Sequence, residues 1–257
     1  MRALITNDDG IDSPGLAVLA RVARDAGFDV TVAAPARESS GASASLLGAE
    51  HDGRLVIDRK DCPGLPDGCD SYAVRAAPGL IAFLAAHDGF GPRPDVVLSG
   101  VNRGSNTGHA VIHSGTVGAA FSAATHGIHA MAVSIASSAP QHWATAGLVA
   151  AHALPWLVAR DDASRVLNVN APDVAPDQLL GVRKAPLASF GTVQARVHEV
   201  EKGSLMVTYA ALDPSADTAS DAGLLEAGWA TLTLLEAPCF VGDADLPEHV
   251  DGPPPPA

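Results

Sequence analysis

Five short apolar runs constrain this chain more than any other feature. They fall at residues 2–6, 30–34, 96–98, 130–135 and 166–169. Each is continuous rather than alternating, the pattern of strands buried on both faces. Helical periodicity fills the intervals. Over 14–26 it places Leu16, Leu19, Ala20 and Val22 on one face, and similar patterns run near 78–87, 115–126 and 142–159. Strands alternating with helices predict βαβ units and a parallel sheet with helices on both sides. Right-handed crossovers then bring the ends of the first three strands to one edge, where open α/β sheets bind ligands.

The expected architecture is therefore α/β, a Rossmann-like, doubly wound, mostly parallel sheet over residues 1–185. Beyond that point the patterning weakens. Residues 204–210 and 229–235 read as strands, the second alternating Trp229, Thr231 and Thr233 with Ala230, Leu232 and Leu234. Residues 186–257 are expected to form a β-rich oligomerisation extension, packed on the core or on a partner subunit. The last residues, Gly252-Pro253-Pro254-Pro255-Pro256-Ala257, read as a solvated or polyproline II tail.

Composition narrows the partners. With 257 residues, 47% hydrophobic and only 4% aromatic, the chain supports one substantial domain with an aliphatic core. No apolar run is long enough to cross a bilayer, and the start lacks the long apolar stretch of a signal peptide, so a cytoplasmic protein is expected. Lys and Arg number 16 against 29 Asp and Glu, a net charge of −13. Such a field repels duplex nucleic acid, and no basic cluster is visible along the chain. A small anion is still admissible where a cation or backbone N–H groups attract it locally. Cys62, Cys69 and Cys239 are odd in number and match no zinc spacing, so free or buried thiols are expected.

Four segments carry chemistry. Thr6-Asn7-Asp8-Asp9-Gly10 ends the first strand, and a hard cation would relieve the repulsion and burial cost of its adjacent carboxylates. An ordinary Asp-Asp-Gly turn explains the same residues. Ser13 reads as an N-cap with Pro14 at the first helical position. Ala34-Pro35-Ala36-Arg37-Glu38-Ser39-Ser40-Gly41-Ala42-Ser43 follows the second strand and offers hydroxyl and backbone ligands, or is simply a flexible loop. Ser99-Gly100-Val101-Asn102-Arg103-Gly104-Ser105-Asn106 follows the third strand, with backbone suited to a nearby ligand or to a turn. His113-Ser114-Gly115-Thr116-Val117 opens a helix, where hydroxyls and free N–H groups make a phosphate cradle. Ser114 also serves as a plain N-cap, and the two roles are compatible.

In order and spacing these four segments, with Asn168-Val169-Asn170-Ala171-Pro172, resemble the SurE (survival protein E) nucleotidase family. The likeness covers most of residues 1–175 and, more loosely, 221–235. It implies a divalent-metal-dependent phosphatase that hydrolyses nucleoside 5′- and 3′-monophosphates, and sometimes short polyphosphate. It also implies a homodimer or homotetramer that exchanges C-terminal segments. Asp8, Asp9, Ser40 and Asn102 would then hold one Mg²⁺ or Mn²⁺ through oxygen, consistent with hard cations. Asn7, Gly41, Ser114, Gly115 and Thr116 would line the phosphate pocket. Asp8 and Asp9 would be catalytic, either one orienting or deprotonating water, with an aspartyl-phosphate on Asp8 as the alternative route. His113 reads as a satisfied structural histidine or as the acid for the leaving oxygen.

The sequence departs from the family at four places. Ala36 stands where Asp is frequent, His109-Ala110 replaces a more acidic pair, and Ser122 stands where Glu is usual. Ala77-Pro78-Gly79-Leu80 lacks the Thr and Asp of a capping box, a change with either a structural or a specificity role. Two further readings compete: a nucleotide-binding module without turnover, and a phosphatase for another small phosphomonoester. A nucleotide-sugar glycosyltransferase is disfavoured, because such enzymes usually space their metal carboxylates as Asp-x-Asp.

Overall fold

The computed structural model describes residues 1–48, 50–51, 54–189, 193–201, 204–211 and 217–238. Cys239 and the proline tail lie outside the described residues. The chain runs β1 (Arg2–Thr6), α1 (Pro14–Asp25), β2 (Asp29–Pro35), β3 (Glu50–His51), β4 (Arg54–Leu55), β5 (Ile57–Arg59), β6 (Asp70–Val74), α2 (Pro78–Ala86) and β7 (Val96–Arg103). It continues through a 3₁₀ turn (Gly108–His113), α3 (Gly115–Ala124), β8 (His129–Ile135), α4 (Trp143–Val158), β9 (Arg165–Ala171), β10 (Val182–Lys184), β11 (Val193–Glu201), β12 (Ser204–Ala211), α5 (Asp221–Glu226) and β13 (Ala230–Glu236).

A nine-stranded sheet has the order β10-β13-β9-β8-β7-β1-β2-β6-β5. Its central six strands, β6 to β9, are all parallel, as the continuous apolar runs require. Antiparallel pairs enter only where β5 meets β6 and where β13 meets β9. The expected doubly wound sheet is present. Winding changes direction between β1 and β7, and ligands collect at such a switch point beyond the strand ends.

The two faces bury different helices. Leu16, Leu19 and Val22 of α1 and Val149, Leu154 and Leu157 of α4 share one aliphatic core with Ile5, Val32 and Leu98. Ile81 and Ala85 of α2 and Val117, Ala120 and Ala123 of α3 form the other with Leu4 and Val97. Alanine lets α3 lie close against the sheet, which fixes the direction of its first turn. Cys62 and Cys69 are free thiols, and burial pushes the Cys62 thiol up to about 11. Among the described residues no helix is long and apolar enough to cross a membrane.

Several local expectations change. The third strand is longer than its apolar signal: β7 continues through a register shift past Ser99, carrying Asn102 and Arg103 to the sheet edge. β13 lies within the main sheet between β10 and β9, and its two threonines are more buried than Leu232 and Leu234. Thr231 and Thr233 are buried, and Thr233 donates to the Ala185 carbonyl at 3.0 Å. Leu234 is the exposed member. β11 and β12 pair as a separate antiparallel hairpin. Pro14 starts α1 as expected, whereas the buried Ser13 hydroxyl makes no capping bond.

Candidate active site

All four motif loops meet where β1, β2, β7 and α3 converge. Asp8 leaves the end of β1 buried and is met by the start of α3. The Thr116 hydroxyl donates to Asp8 Oδ1. A Cβ on Gly115 would lie 2.8 Å from both Cβ and Oδ2 of Asp8, so only glycine allows this approach. Ser114 caps the same helix, its Oγ accepting from the Val117 N–H at 3.1 Å. The expected cap is thus present.

The second loop is tied to the first through backbone. The Ser39 N–H donates to the Asp8 carbonyl at 2.7 Å, and the Ile11 N–H to that of Pro35 at 2.9 Å. It also rests on α3, where a Cβ on Gly118 would fall 2.1 Å from the Ser43 carbonyl oxygen. Asn7 turns its amide back on its own loop: Nδ2 donates to Gly10 O, and the Gly10 N–H donates to Oδ1, both at 3.1 Å. Asn7 therefore shapes the turn that presents Asp8 and Asp9. Ser40 and Gly41 stand exposed beside it.

Asp9 belongs to a charged network that motif reading missed. The Arg103 backbone N–H donates to its Oδ2 at 3.1 Å and Arg103 Nε to its Oδ1 at 3.2 Å. Arg103 Nη2 also approaches Glu38 at 3.9 Å, and the Ser40 hydroxyl donates to Glu38 at 2.7 Å. Asn102 Nδ2 donates to the Gly104 carbonyl at 2.8 Å, leaving Oδ1 as an acceptor. The signal for Arg103 was its place beside Asn102 on a strand end. Glu38 gave none beyond its place in the serine loop.

The later Asn pair anchors the third loop. Asn168 and Asn170 donate to the Asn106 carbonyl at 2.8 and 2.9 Å, and the Asn106 N–H donates to Asn170 Oδ1 at 2.8 Å. Further on, buried Asp221 accepts from the N–H groups of Gly108, Ala188 and Ala222, fastening the 3₁₀ turn to α5. His113, in that turn, is exposed and its imidazole has no hydrogen-bond partner among the described residues, so the satisfied structural histidine is not found. Ser122 donates to the Gly79 carbonyl of α2 at 2.8 Å.

Burial raises the Asp8 carboxyl above its usual range, the Thr116 bond opposes this, and the charge of Asp9 adds to it. Burial likewise raises Asp9, against the bonds and charge of Arg103. Two neighbouring acids with disfavoured anionic forms are a setting that a cation stabilises. Among the described residues no group of three or more His, Cys, Asp or Glu gathers to hold a metal. A cation here would take the two carboxylates and draw its other ligands from hydroxyl or amide oxygens.

Beside Ser40 and Gly41 opens a cleft of about 1110 Å³. Arg37, Arg59, Lys60 and Arg75 all line it. The absence of a basic cluster, read along the chain, is thus corrected in three dimensions: strand pairing gathers cations that are far apart in sequence.

Residues 3–194 match the family model described as survival protein SurE. The chain is 37% identical to a 5′-nucleotidase SurE of Aeromonas hydrophila subsp. hydrophila over 190 residues, 74% of this chain and 72% of that one. It is 41% identical to 5′-nucleotidase SurE 1 of Burkholderia lata over 199 residues, 75% and 72% of the two chains. A 5′/3′-nucleotidase SurE of Citrobacter koseri is 38% identical over 187 residues, 71% and 68% of the two. In fold, the crystal structure of the SurE protein from Aquifex aeolicus superposes with a TM-score of 0.76 at 24% identity, covering 93% of this chain and 95% of that one. By sequence, this chain belongs to the SurE family.

Proposed function

We propose that the chain is a divalent-metal-dependent phosphatase that hydrolyses nucleoside 5′- and 3′-monophosphates to nucleoside and phosphate. The observation that carries this is the Asp8–Asp9 pair, with Asp8 clamped by Thr116 and Gly115 at the start of α3. The relatives named 5′-nucleotidase and 5′/3′-nucleotidase support the substrate class.

The residues fit one hard cation. Asp8, Asp9, Ser40 and Asn102 offer only oxygen, and the two carboxylates carry the burial cost that a cation relieves. Bound there, Mg²⁺ or Mn²⁺ would neutralise phosphoryl charge and lower the pKa of water. The protein supplies the rest. The first-turn N–H groups of Gly115 and Thr116 and the Ser114 cap form an anion cradle at a helix N-terminus, with Gly41 beside it. Asn7 fixes the turn, and Thr116 fixes Asp8, so that neither carboxylate reorganises during reaction. Arg103 pairs with Asp9 and adds positive charge at the mouth. Exposed His113 stands in the turn that leads into the cradle.

Release of inorganic phosphate from 5′- and 3′-monophosphates, with Mn²⁺ or with EDTA, tests this reading. Turnover with Mn²⁺ that EDTA abolishes is expected; no release from any nucleotide overturns it.

We also propose a homodimer or homotetramer. Exposed Leu148, Trp156 and Leu234 support it, as does a cavity of about 510 Å³ lined by Trp156, Leu232 and Leu234 on that side of the sheet. Light scattering at micromolar concentration reads the state, and a clean monomer refutes it.

A further inference from the structure

We propose that the large cleft beside Ser40 and Gly41 is a subsite for a second phosphate, so that the preferred substrate is a nucleotide carrying phosphate at both its 5′ and 3′ positions. This rests on the phosphatase reading above and deepens it.

The cleft is larger than one nucleoside needs. At about 1110 Å³ it exceeds the range of ~300–1,000 Å³ typical for drug-sized ligands. Its lining includes Ser40 and Gly41 of the proposed site, from which the leaving group would extend into it.

Its charge is organised. Pro35 of β2 lies opposite Val74 of β6 in parallel register, and the Ala36 N–H donates to the Val74 carbonyl at 2.7 Å. Arg37 and Arg75 therefore leave adjacent strand ends, and both line the cleft. Neither side chain has a hydrogen bond or ion pair among the described residues. Both guanidiniums are thus free to take an anion, and their planar forks match phosphate oxygens.

The other charges lining the cleft are mostly engaged. Arg59 pairs with Asp70 at 3.1 Å and Lys60 with Asp12 at 2.6 Å. Glu38 takes the Ser40 hydroxyl and lies near Arg103. Asp58 is the one acid of the lining without a partner among the described residues, against two unpartnered guanidiniums. Ala77, at the start of α2, also lines the cleft and brings neither a capping side chain nor a first-turn acid to oppose an anion. In a chain of net charge −13, this local balance selects for a dianion that a nucleoside monophosphate lacks on its leaving side.

The reaction itself is unchanged. Water attacks phosphorus, the P–O ester bond breaks, the leaving oxygen takes a proton, and inorganic phosphate departs. The second phosphate stays on the nucleoside as an anchor.

The test compares adenosine 3′,5′-bisphosphate with 5′-AMP and 3′-AMP on the full chain, as kcat/KM at fixed Mn²⁺. The same panel is run on the Arg37→Gln/Arg75→Gln double variant and on Arg75→Glu, each checked by thermal melting. The wild-type chain is expected to favour the bisphosphate by on the order of tenfold. The double variant should lose that ratio, and Arg75→Glu should invert it. Equal ratios in all three proteins, or a bisphosphate advantage that survives both variants, overturn the subsite. A parallel calorimetric titration with the bisphosphate separates the two readings. If no nucleotide is hydrolysed yet binding still depends on the arginines, the phosphatase reading fails and the subsite stands. Binding indifferent to the arginines sinks the subsite alone.

Discussion

The two sides of the site are built differently. Around Asp8 everything is packed: Thr116 is fully buried, Gly115 leaves no room for a methyl group, and the Ser39 backbone closes over the loop. Around Ser40 everything is open: Ser40, Gly41, Arg37 and Arg75 are exposed, and two guanidiniums stand without partners. The packed side suits chemistry, because a reacting group misplaced by ~1 Å costs on the order of a hundredfold in rate. The open side suits recognition, because exposed side chains change at little cost in stability.

The comparison breaks most sharply at Asp8. Asp8→Asn removes charge where the proposed cation sits, and should lower kcat by several orders of magnitude, the equivalent of several kcal/mol of barrier. Melting should hold or rise, since burial already disfavours the anion. Near-normal turnover with Mn²⁺ present would mean that the packed side is not the reacting side.

Gly115→Ala is the next largest effect. The new methyl would lie 2.8 Å from Asp8 and must displace it or the helix start. A loss of ~10²-fold in kcat is expected, with KM far less affected. An equal fractional change in KM would instead indicate a site that adapts.

Arg103→Gln sharpens the boundary between the sides. The guanidinium competes with a cation for Asp9 and is half-exposed, so its pairing is weak. Removing it should tighten Mn²⁺ binding by ~fivefold at most, read by calorimetry. Weaker Mn²⁺ binding would show that Arg103 organises Asp9 rather than competing for it.

The packed side was the more legible in sequence. Continuous apolar runs mark β1, β2 and β7, right-handed crossovers bring their ends to one edge, and the hydroxyls at the start of α3 signal a helix N-terminus suited to an anion. Asp8 and Thr116 are 108 positions apart, yet both sit in segments with strong local patterns. The open side hides for a physical reason. β5 is three exposed residues, and β6 carries only two fully buried ones, so neither has an apolar signal. The cations at 37, 59, 60 and 75 become neighbours only through that pairing. Arg103 hid because β7 extends past its apolar run, and Asp221 because its partners are backbone N–H groups, which leave no side-chain motif.

The smallest effect lies where the two sides share a helix. Ala77 occupies the N-cap of α2 with extended backbone (φ −66°, ψ 150°), and Pro78 follows at the first helical position. Both backbone requirements of a cap are met, and only the side-chain acceptor is absent. Leu80, at the third position, is half-buried against the second core. A Cβ on Gly48 would lie 2.9 Å from it, so the leucine fills space that an aspartate would not. Ala77→Thr alone should therefore stabilise the fold by ~1 kcal/mol, by accepting from a first-turn N–H. Adding Leu80→Asp should reverse the gain, because the apolar surface lost there outweighs a second capping bond. Thermal melting of the single and double variants reads both signs. A double variant more stable than the single would show that Leu80 contributes no packing. Ala77 also lines the cleft, so its threonine variant carries a second readout. An altered ratio between bisphosphate and monophosphate, without any gain in stability, would place this helix start among the groups that read the substrate.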